Sequence, residues 1–379
     1  MTASLVKCVV WDIDNTLLDG VWLESAGQLP PADPQLVSVL RDLAGRGILH
    51  ALASRNPPDA AAYVRELTGA DFAAVECGWD SKAEAVGRIA AGLDLSTDAI
   101  AFVDDDMLER AEVSATLPDV LVLTPEEAAE APGWPQFSPA AVTDEARRRG
   151  ELYAARRRRD AEAKAFGGSR DEFLRQAGTR ITIAPAGPAD LPRLHELSVR
   201  THQLNSAGQP VSQAELAGLF DSPEHAVATV RLADNFGDDG LVGAAVLTGS
   251  AVTSPPVSPG GPVPPASPRP PAGSPPLARP EPLVLTVPLV MMSCRALGRG
   301  ALDALLAWLC RSAAARGAAE LQVPCLVTER NVPMRLALAA AGLRAEPGRI
   351  TSDGRAVFAR ELAGSLPALA DWLIVRDEP

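Results

Sequence analysis

From Val6 to about Thr124, short runs of apolar and β-branched residues alternate with amphipathic stretches of helical length. The short runs include KCVVWDID, ILHALAS, FAAVEC and AIAFVDDD, and the helical stretches include PQLVSVLRDLAGRG and KAEAVGRIAAGL. Strands that alternate with helices in this way form a parallel sheet with helices on both faces. The pattern therefore predicts an α/β domain over residues 1–145, with a doubly wound, Rossmannoid parallel sheet.

A second alternating region begins near Thr179 and predicts another α/β domain over residues 179–379. Its runs TRITIAP, HAVATVRLADN, GLVGAAVL and PLVLTVPLVMMSC are spaced as antiparallel, hairpin-like strands. The residues between the two regions, 146–178, include the charged, helix-favouring segment Ala146–Gly168, which predicts a connecting helix. Its arginines are equally typical of an ordinary solvated helix face.

A proline-rich tract interrupts the second region. Residues 254–282 hold 13 of the 34 prolines, mixed with Ser, Gly and Ala. This composition does not support a packed core, and strand-like runs resume after it. We expect a disordered insertion at 252–282 within the second domain; a linker between separate domains is the alternative.

The bulk composition excludes several classes of protein. The 379 residues are 47% hydrophobic, and 35 Lys and Arg against 48 Asp and Glu give a net charge of −13. This charge argues against a nucleic-acid partner held through phosphates. No apolar run approaches the roughly 18 residues of a membrane span, so we expect no membrane association and a cytoplasmic enzyme. The five cysteines are sparse and unpaired in sequence, which argues against a disulfide framework or a zinc site.

The most informative segment for chemistry is VVWDIDNTLLDG. It delivers two carboxylates, Asp12 and Asp14, directly after a buried strand. At this spacing one carboxylate can attack phosphorus while the other transfers protons. Such pairs also occur in ordinary polar loops, so a catalytic role needs support from polar residues further along the chain.

Further along the chain, polar residues stand at the ends of two later strand-like runs and at the start of one helical stretch. Ser54 ends ALAS, Lys82 opens a helical stretch, and Asp104 and Asp105 end AFVDDD. Parallel strands gather their carboxyl ends at one edge of the sheet. Phosphoryl transfer needs a nucleophile, a divalent cation held by carboxylates and a cation that balances charge. Taken alone, Ser54 is typical of a helix cap and Lys82 of a helix surface.

These ordered segments resemble the four motifs of the haloacid-dehalogenase (HAD) superfamily, of which the first is DxDxT. The resemblance implies that Asp12 is the nucleophile and Asp14 the general acid/base. Thr16 would support the turn, Ser54 would hold phosphoryl oxygens, and Lys82 would neutralise charge. Arg55 and Asn56 are expected to line the phosphate pocket. The implied cofactor is Mg²⁺, with the ligands Asp12, Asp14 (through its backbone carbonyl), Asp104 and Asp105; the choice of main ligand between the last two stays open.

The spacing of these motifs leaves no room for a separate cap domain, either between Asp14 and Ser54 or between Ser54 and Lys82. A capless site is open from above. It can accept a large partner or be covered by the second domain.

Three later stretches resemble the FkbH-like family, the glyceryl-loading enzymes of polyketide pathways: RTHQLNSAGQPVS, RLADNFGDDGLVGAAVL and LVMMSCRALGRGALDALL. Together with WDIDNTLLDGVW and FVDDDMLERAEV in the first domain, the resemblance covers nearly the whole chain apart from the proline-rich tract. It implies an acetyltransferase-like (GNAT) fold for the second domain. It also implies that the glyceryl group of D-1,3-bisphosphoglycerate passes, with dephosphorylation, through an enzyme cysteine thioester to the phosphopantetheine thiol of an acyl carrier protein.

The resemblance also assigns residues in the second domain. RALGRG fits the R-x-x-G-x-G turn, in which Arg295, Gly298 and Gly300 would approach a pyrophosphate or pantetheine phosphate; a simple strand-to-helix turn is the alternative. We expect Cys294, just before this turn, to be the acyl acceptor, and Cys77 is the second candidate. A buried structural role is the ordinary fate of a free cysteine. His202 and Asn205 are candidate base and substrate anchor, or surface and capping residues.

Two other functions fit the same sequence. A stand-alone Mg²⁺-dependent small-molecule phosphatase would use only the first domain, with the second covering the open site. Alternatively, the second domain is a non-catalytic docking module for a carrier protein.

Overall fold

The structure is a computed structural model that describes residues 5–24, 29–139, 142–201, 203–248, 283–370 and 373–377. The chain forms two compact units, Met1–Ala165 and Phe166–Pro379. The predicted α/β fold class of both domains is confirmed, because each unit contains its own sheet with the expected strand directions.

The first unit is built on a five-stranded parallel sheet in the order β3-β2-β1-β4-β5. The order reverses direction at the central strand, so the chain winds outward from the middle of the sheet on both sides. The strands are β1 (Cys8–Trp11), β2 (Leu49–Ser54), β3 (Phe72–Cys77), β4 (Ile100–Val103) and β5 (Leu121–Leu123).

Helices cover both faces of this sheet and bury two separate apolar clusters against it. One cluster surrounds Trp11 and Leu52, and the other surrounds Val10 and Phe102. Adjacent strand residues point to opposite faces, which explains why Val10 and Trp11 lie in different clusters. The helices are α1 (Pro34–Gly45), α2 (Pro58–Thr68), α3 (Lys82–Gly92), α4 (Met107–Thr116), α5 (Pro125–Glu130), α6 (Asp144–Arg147) and α7 (Arg149–Ala165).

Side-chain caps fix where the helices near the carboxyl edge begin. The Ser81 side chain accepts a hydrogen bond from the backbone N–H of Glu84, and Asp106 accepts one from Leu108. These bonds satisfy N–H groups that have no partner within the helix. They fix Lys82 as the first residue of α3. Asp106 is the N-cap of α4.

Helix α7, in the segment expected to connect the domains, belongs to the first unit. Arg149 donates to the carbonyl of Gly47, and Arg156 pairs with Asp94 at 2.6 Å. Arg149 and Arg159 are both buried. Not all of the arginines in this segment therefore form a solvated face.

The second unit contains an eight-stranded mixed sheet in the order β11-β12-β10-β9-β8-β7-β6-β13. The neighbours from β6 to β9 pair antiparallel, as the sequence predicts, whereas β9 and β10 run parallel. The strands are β6 (Arg180–Pro185), β7 (His225–Asp234), β8 (Gly237–Thr248), β9 (Val284–Met292), β10 (Glu320–Cys325), β11 (Arg344–Ile350), β12 (Ala356–Glu361) and β13 (Ile374–Asp377).

Strands β9 and β10 pair only over their first three residues, Val284–Thr286 with Glu320–Gln322. Beyond this point Ser206 lies between them. Its N–H donates to the carbonyl of Val290 at 2.9 Å, and its carbonyl accepts from Leu326 N–H at 2.9 Å. The loop around Ser206 therefore satisfies backbone groups that the separating strands leave without a partner.

Among the described residues, four helices pack on this sheet over a large apolar core and a smaller one, and a fifth buries Phe173 and Leu174 in a separate cluster. The core-forming side of α11 includes Leu305, Leu309 and Ala313, all fully buried. The helices are α8 (Arg170–Gln176), α9 (Leu191–Arg200), α10 (Gln213–Asp221), α11 (Ala301–Ala315) and α12 (Val332–Ala340).

Two predicted features lie outside the described residues, namely His202 and the proline-rich insertion at 252–282. Within the described ranges, none of the helices combines the length and apolar character that a bilayer span would need.

Candidate active site

The polar residues singled out in the first domain converge at the carboxyl edge of its sheet. Asp12 directly follows the central strand β1, Ser54 ends β2 on one side, and Asp104 follows β4 on the other. Lys82 begins α3, after β3. The parallel register of β1 with both neighbours places these residues at one level of the sheet.

After β1 the chain makes a tight turn that directs the second aspartate. Asn15 adopts φ 49°, in the left-handed region that Asn tolerates better than most residues. Its N–H donates to the carbonyl of Gly20 at 3.1 Å, which closes the loop. The Asp14 carboxylate accepts a hydrogen bond from Trp22 N–H at 2.9 Å. The short DIDN sequence thus presents both carboxylates from a fixed backbone.

Lys82 joins the carboxylates on either side of it. Its ammonium donates to Asp12 Oδ1, to Asp104 Oδ2 at 2.9 Å and to the carbonyl of Ala53 at 2.9 Å. All three N–H donors of the ammonium can therefore be satisfied. Lys82, Asp12 and Asp104 are buried, so these pairs are weakly screened by solvent.

A second network holds Asp14. Asn56 Nδ2 donates to Asp14 Oδ2 at 2.9 Å and to Ser54 Oγ at 3.1 Å. Asn56 therefore links the expected acid/base residue to the expected phosphoryl-binding serine. Asn56 is itself 1% exposed, so these bonds form away from bulk water.

The buried polar atoms near the site include Asn56 Oδ1 and Thr16 Oγ1, which have no hydrogen-bond partner among the described residues. A buried polar atom without a hydrogen bond typically costs about 1–3 kcal/mol. Such atoms are commonly satisfied by a ligand or an ordered water. Their position beside Asp14 and Ser54 fits a site that binds a polar ligand.

Three carboxylates lie close enough to share a cation. One oxygen from each of Asp12, Asp104 and Asp105 lies within 4.8 Å of the others. Hard oxygen ligands of this kind suit Mg²⁺, which usually takes one or two carboxylates and keeps several waters. Both Asp104 and Asp105 contribute to this group. The Asp14 carboxylate accepts hydrogen bonds from Asn56 and Trp22, and the role of its backbone carbonyl as a metal ligand stays a prediction.

Burial and charge shift the pKa values of these groups. Burial raises the pKa of Asp12 to about 6, with the Lys82 charge opposing the rise and Asp104 adding to it. Burial alone would lower the pKa of Lys82, but Asp12 and Asp104 together raise it above the ordinary lysine value. Lys82 is therefore charged at neutral pH and stabilises the anionic form of Asp12.

Two other residues of the first unit have different surroundings. Arg55, expected in the phosphate pocket, pairs instead with Glu109 at 2.9 Å and lies 4.0 Å from Glu112, both on α4. Cys77, at the end of β3 opposite Ser54, is half-buried, and burial followed by the Asp12 charge raises its thiol pKa. A raised pKa disfavours the nucleophilic thiolate.

A cavity of about 330 Å³ adjoins the catalytic cluster. Ser54 and Lys82 contribute to its wall, so it opens beside the expected phosphoryl position. Its lining residues are Ser54, Glu76, Cys77, Gly78, Asp80, Lys82, Ala85 and Arg88. Glu76, Asp80 and Arg88 were not identified from the sequence, because exposed charges after a strand and on a helix resemble any solvated surface.

In the second unit the RALGRG segment forms a turn between β9 and α11. Cys294 is half-buried in a short 3₁₀ turn, Cys294–Ala296. Gly298 and Gly300 have φ 70° and 74°, which explains glycine at both positions. Gly300 is the N-cap of α11. The backbone required of an R-x-x-G-x-G turn is present, and its role in binding stays a prediction.

Arg299, in the middle of this turn, was missed in the sequence. It is 4% exposed and pairs with Asp234 at 2.7 Å and with Asp239. The tight turn is Asn235–Phe236, while Asp239 lies within β8. The sequence signal for this interaction was the presence of two acidic residues, Asp234 and Asp239, near the β7–β8 turn. Their partner, Arg299, lies 60 or more residues away in the chain, so the sequence did not indicate the pairing.

Asn205 and Asn331 form structural hydrogen bonds. Asn205 is 1% exposed; its Oδ1 accepts from Ala207 N–H at 2.9 Å, and its Nδ2 donates to Gln209 O at 3.4 Å. Asn331 Oδ1 accepts from Thr328 N–H at 3.1 Å, and its Nδ2 donates to Leu326 O. These contacts are those of loop-capping residues.

Comparison with known proteins finds similarity in solved structures. No protein-family model matches the chain, and none of the curated proteins does. One similar structure is the N-terminal part of BF1531 from Bacteroides fragilis, which contains a phosphatase domain and is complexed with Mg. Its sequence is 26% identical to this chain. The match covers 34% of this chain and 38% of that one, with a TM-score of 0.31. A putative HAD superfamily (subfamily III A) hydrolase from Legionella pneumophila is 22% identical over 30% of this chain and 63% of its own, with a TM-score of 0.27.

Another solved structure in this comparison is of a different type. The ribosomal-protein-S18-alanine N-acetyltransferase from Escherichia coli is 16% identical, and the match covers 50% of this chain and 99% of that one, with a TM-score of 0.32. A phosphatase domain, a putative HAD superfamily hydrolase and an acetyltransferase thus all occur among the similar structures.

Proposed function

We propose that the first unit is a Mg²⁺-dependent phosphotransfer site that uses Asp12 as its nucleophile. The observation that carries the proposal is the placement of buried Lys82 between Asp12 and Asp104, with Asp105 beside them. Two buried carboxylates, Asp12 and Asp104, and the exposed Asp105 face one lysine, so the cluster carries excess negative charge. A divalent cation bound by the carboxylates would balance that charge and stabilise negative charge on a phosphoryl group.

The residues of the site provide the remaining steps. The Asp12 carboxylate attacks phosphorus, the P–O ester bond breaks, and Asp14 donates a proton to the departing oxygen. Asp14 then accepts a proton from the water that hydrolyses the aspartyl phosphate. Lys82 and Ser54 bind the phosphoryl oxygens, and Asn56 holds Asp14 and Ser54 in place.

The decisive experiment is phosphate release from small phosphate esters with and without Mg²⁺. We expect release by the full chain with Mg²⁺, little in EDTA, and none above background for Asp12→Asn. Undiminished release by Asp12→Asn would contradict the assignment of the nucleophile.

At a finer level, we propose that the substrate is D-1,3-bisphosphoglycerate and that the chain transfers its glyceryl group to an acyl carrier protein. Support comes from the FkbH-like stretches in the second half of the chain and from its GNAT-like fold. A thiolate attacks the acyl phosphate carbonyl, the C–O bond to phosphate breaks, and phosphate leaves. Cys294, half-buried before the RALGRG turn, is the proposed acceptor, and Cys77 is the alternative.

Intact mass measurement tests this finer proposal. The purified chain with bisphosphoglycerate is expected to gain a glyceryl or phosphoglyceryl adduct, which Cys294→Ala removes and a carrier protein with phosphopantetheine accepts. An adduct lost only in Cys77→Ala would reassign the acceptor. Phosphate release without any adduct would favour a stand-alone phosphatase, and carrier binding without transfer would favour a docking module.

A further inference from the structure

We propose that the 330 Å³ cavity beside Ser54 and Lys82 binds an uncharged, hydroxylated group, so that dephosphorylation acts on a phosphoglyceryl unit already linked as a thioester. This inference rests on the proposed function. It adds an order to the two reactions and assigns a role to Glu76, Asp80 and Arg88.

The position of the cavity makes it the place for the non-phosphate part of a substrate. Ser54 and Lys82 belong both to the catalytic cluster and to the cavity wall. A phosphate ester whose phosphorus lies near Asp12 would extend its carbon chain into this space. The volume of about 330 Å³ lies at the lower end of the range of roughly 300–1,000 Å³ that small-molecule pockets occupy. It therefore accommodates a three-carbon group with further atoms attached.

The charges of the cavity wall oppose a second anion. Arg88 Nε lies 2.7 Å from Glu76 Oε2, and Arg88 Nη2 lies 3.1 Å from Asp80 Oδ2. The positive charge of Lys82 is paired with the carboxylates of Asp12 and Asp104. Beyond the catalytic cluster, two carboxylates and one guanidinium give the wall a net charge of −1. A carboxylate or second phosphate entering here would have to displace Glu76 or Asp80 from Arg88.

The same groups suit hydroxyls. A hydroxyl can donate to a carboxylate of Glu76 or Asp80 and accept from Arg88 without displacing the other charge. The side chains of Glu76, Arg88 and Asp80 are 32%, 46% and 65% exposed, so solvent screens their effect on a ligand. We therefore expect discrimination against an extra anionic charge on the order of tenfold.

This preference sets the order of the reactions. Bisphosphoglycerate and phosphoglycerate each carry an anionic group at the carbon that becomes the thioester. Attack by the thiolate forms the C–S bond, breaks the C–O bond to phosphate and leaves an uncharged thioester there. The remaining phosphate ester then fits the Asp12 site with its neutral part in the cavity. Acyl transfer therefore precedes dephosphorylation.

The test compares kcat/KM for phosphate release by the full chain with Mg²⁺ on three probes. Glycerol 3-phosphate and the pantetheine thioester of 3-phosphoglycerate are neutral beyond the phosphate, whereas 3-phosphoglycerate is anionic there. We expect both neutral probes to exceed 3-phosphoglycerate by about tenfold. Glu76→Gln combined with Asp80→Asn is expected to reduce this ratio to within about threefold, because Arg88 becomes free to bind the carboxylate.

The matched control is Asp59→Asn combined with Glu66→Gln, which removes the same charge from exposed positions on α2 and should leave the ratio unchanged. A second measurement needs no variant: raising the salt concentration should shrink the ratio for the wild-type chain. Equal or better turnover of 3-phosphoglycerate, or a ratio that neither the variant nor salt changes, overturns the inference. Absence of phosphate release from all three probes would overturn the phosphatase proposal itself, which is a distinguishable result.

Discussion

Lys82 is the residue on which the candidate site depends most directly. It is 4% exposed and lies between two buried carboxylates. Removing the lysine would leave Asp12 and Asp104 facing each other without a cation. Breaking a buried pair in this way is far more costly than losing a surface pair, because the remaining charge has neither water nor a partner.

We expect Lys82→Met to lower the free energy of unfolding of the first unit by about 3–5 kcal/mol in EDTA. Phosphate release with Mg²⁺ should fall by about 10²–10³-fold. Urea denaturation and steady-state kinetics measure the two effects. Lys164→Met, at an exposed position of α7, is the control and should change neither. Wild-type stability in the Lys82 variant would show that the buried pairs do not contribute as inferred.

His50 is a second buried titratable residue, on β2 within the first unit. Trp11 Nε1 donates to His50 Nδ1 at 2.9 Å, so the neutral ring carries its proton on Nε2. Burial lowers the pKa of His50 to about 3 from 6.5. Between these values the unfolded chain binds a proton that the folded chain does not, so stability falls as the pH falls.

We expect His50→Gln to remove this acid sensitivity while its carbonyl still accepts from Trp11. From pH 7 to pH 5, the wild type should lose about 2 kcal/mol of unfolding free energy more than the variant, at roughly 1.4 kcal/mol per pH unit below 6.5. Urea denaturation across this pH range measures the difference. His225→Gln, on β7, controls for the loss of an imidazole. Parallel pH profiles for wild type and His50→Gln would contradict the prediction.

At the scale of elements, the turn before α11 is held to the β7–β8 hairpin by Arg299. The guanidinium bonds Asp234, at the end of β7, and Asp239, in β8. Both carboxylates are buried. The interactions of Arg299 with these two aspartates therefore hold the backbone of the neighbouring Gly298 and Gly300 at the hairpin.

We expect Arg299→Met to destabilise the second unit by about 3–5 kcal/mol, because two buried carboxylates lose one charged partner. Adding Asp234→Asn and Asp239→Asn should recover part of the loss, since the two carboxylate charges that Arg299 balances are removed. Chemical denaturation of the second unit measures both changes. Arg311→Met, exposed on α11, should stay within about 0.5 kcal/mol of wild type. If Arg299→Met is as stable as Arg311→Met, the expected loss of unfolding free energy is wrong.

At the scale of the whole molecule, each unit has its own apolar cores. The two clusters of the first unit draw on residues from Val6 to Tyr153, and the clusters of the second begin at Phe173. A unit that contains its own core can in principle fold alone. Because Tyr153 belongs to a core cluster of the first unit, that core extends beyond residue 145.

We expect a fragment of residues 1–165 to unfold cooperatively and to release phosphate with Mg²⁺ within about threefold of the full chain. A fragment of residues 1–145, which lacks Tyr153 and the Arg156–Asp94 pair, should be less stable by several kcal/mol. Urea denaturation of the two fragments decides between the boundaries. Equal stability would place α7 outside the folding unit.

The sequence by itself determined the parallel α/β domain and the order of its polar strand ends. This was possible because hydrophobic periodicity and the residues after each strand are local signals. Asp12, Ser54, Lys82 and Asp104 could be grouped because strand ends in a parallel sheet share one edge. The antiparallel strands of the second domain could be predicted from the same periodicity.

Only the tertiary structure decided which charged side chains meet. Arg55 pairs with α4, Arg299 with the β7–β8 hairpin, and Arg88 with Glu76 and Asp80 at the cavity. Among these contacts, only the one between Arg88 and Asp80 joins residues that are close in the chain. A charged residue occurs in the same sequence pattern whether its side chain faces solvent or a distant partner. Long-range pairing depends on how elements pack, which residue spacing does not encode.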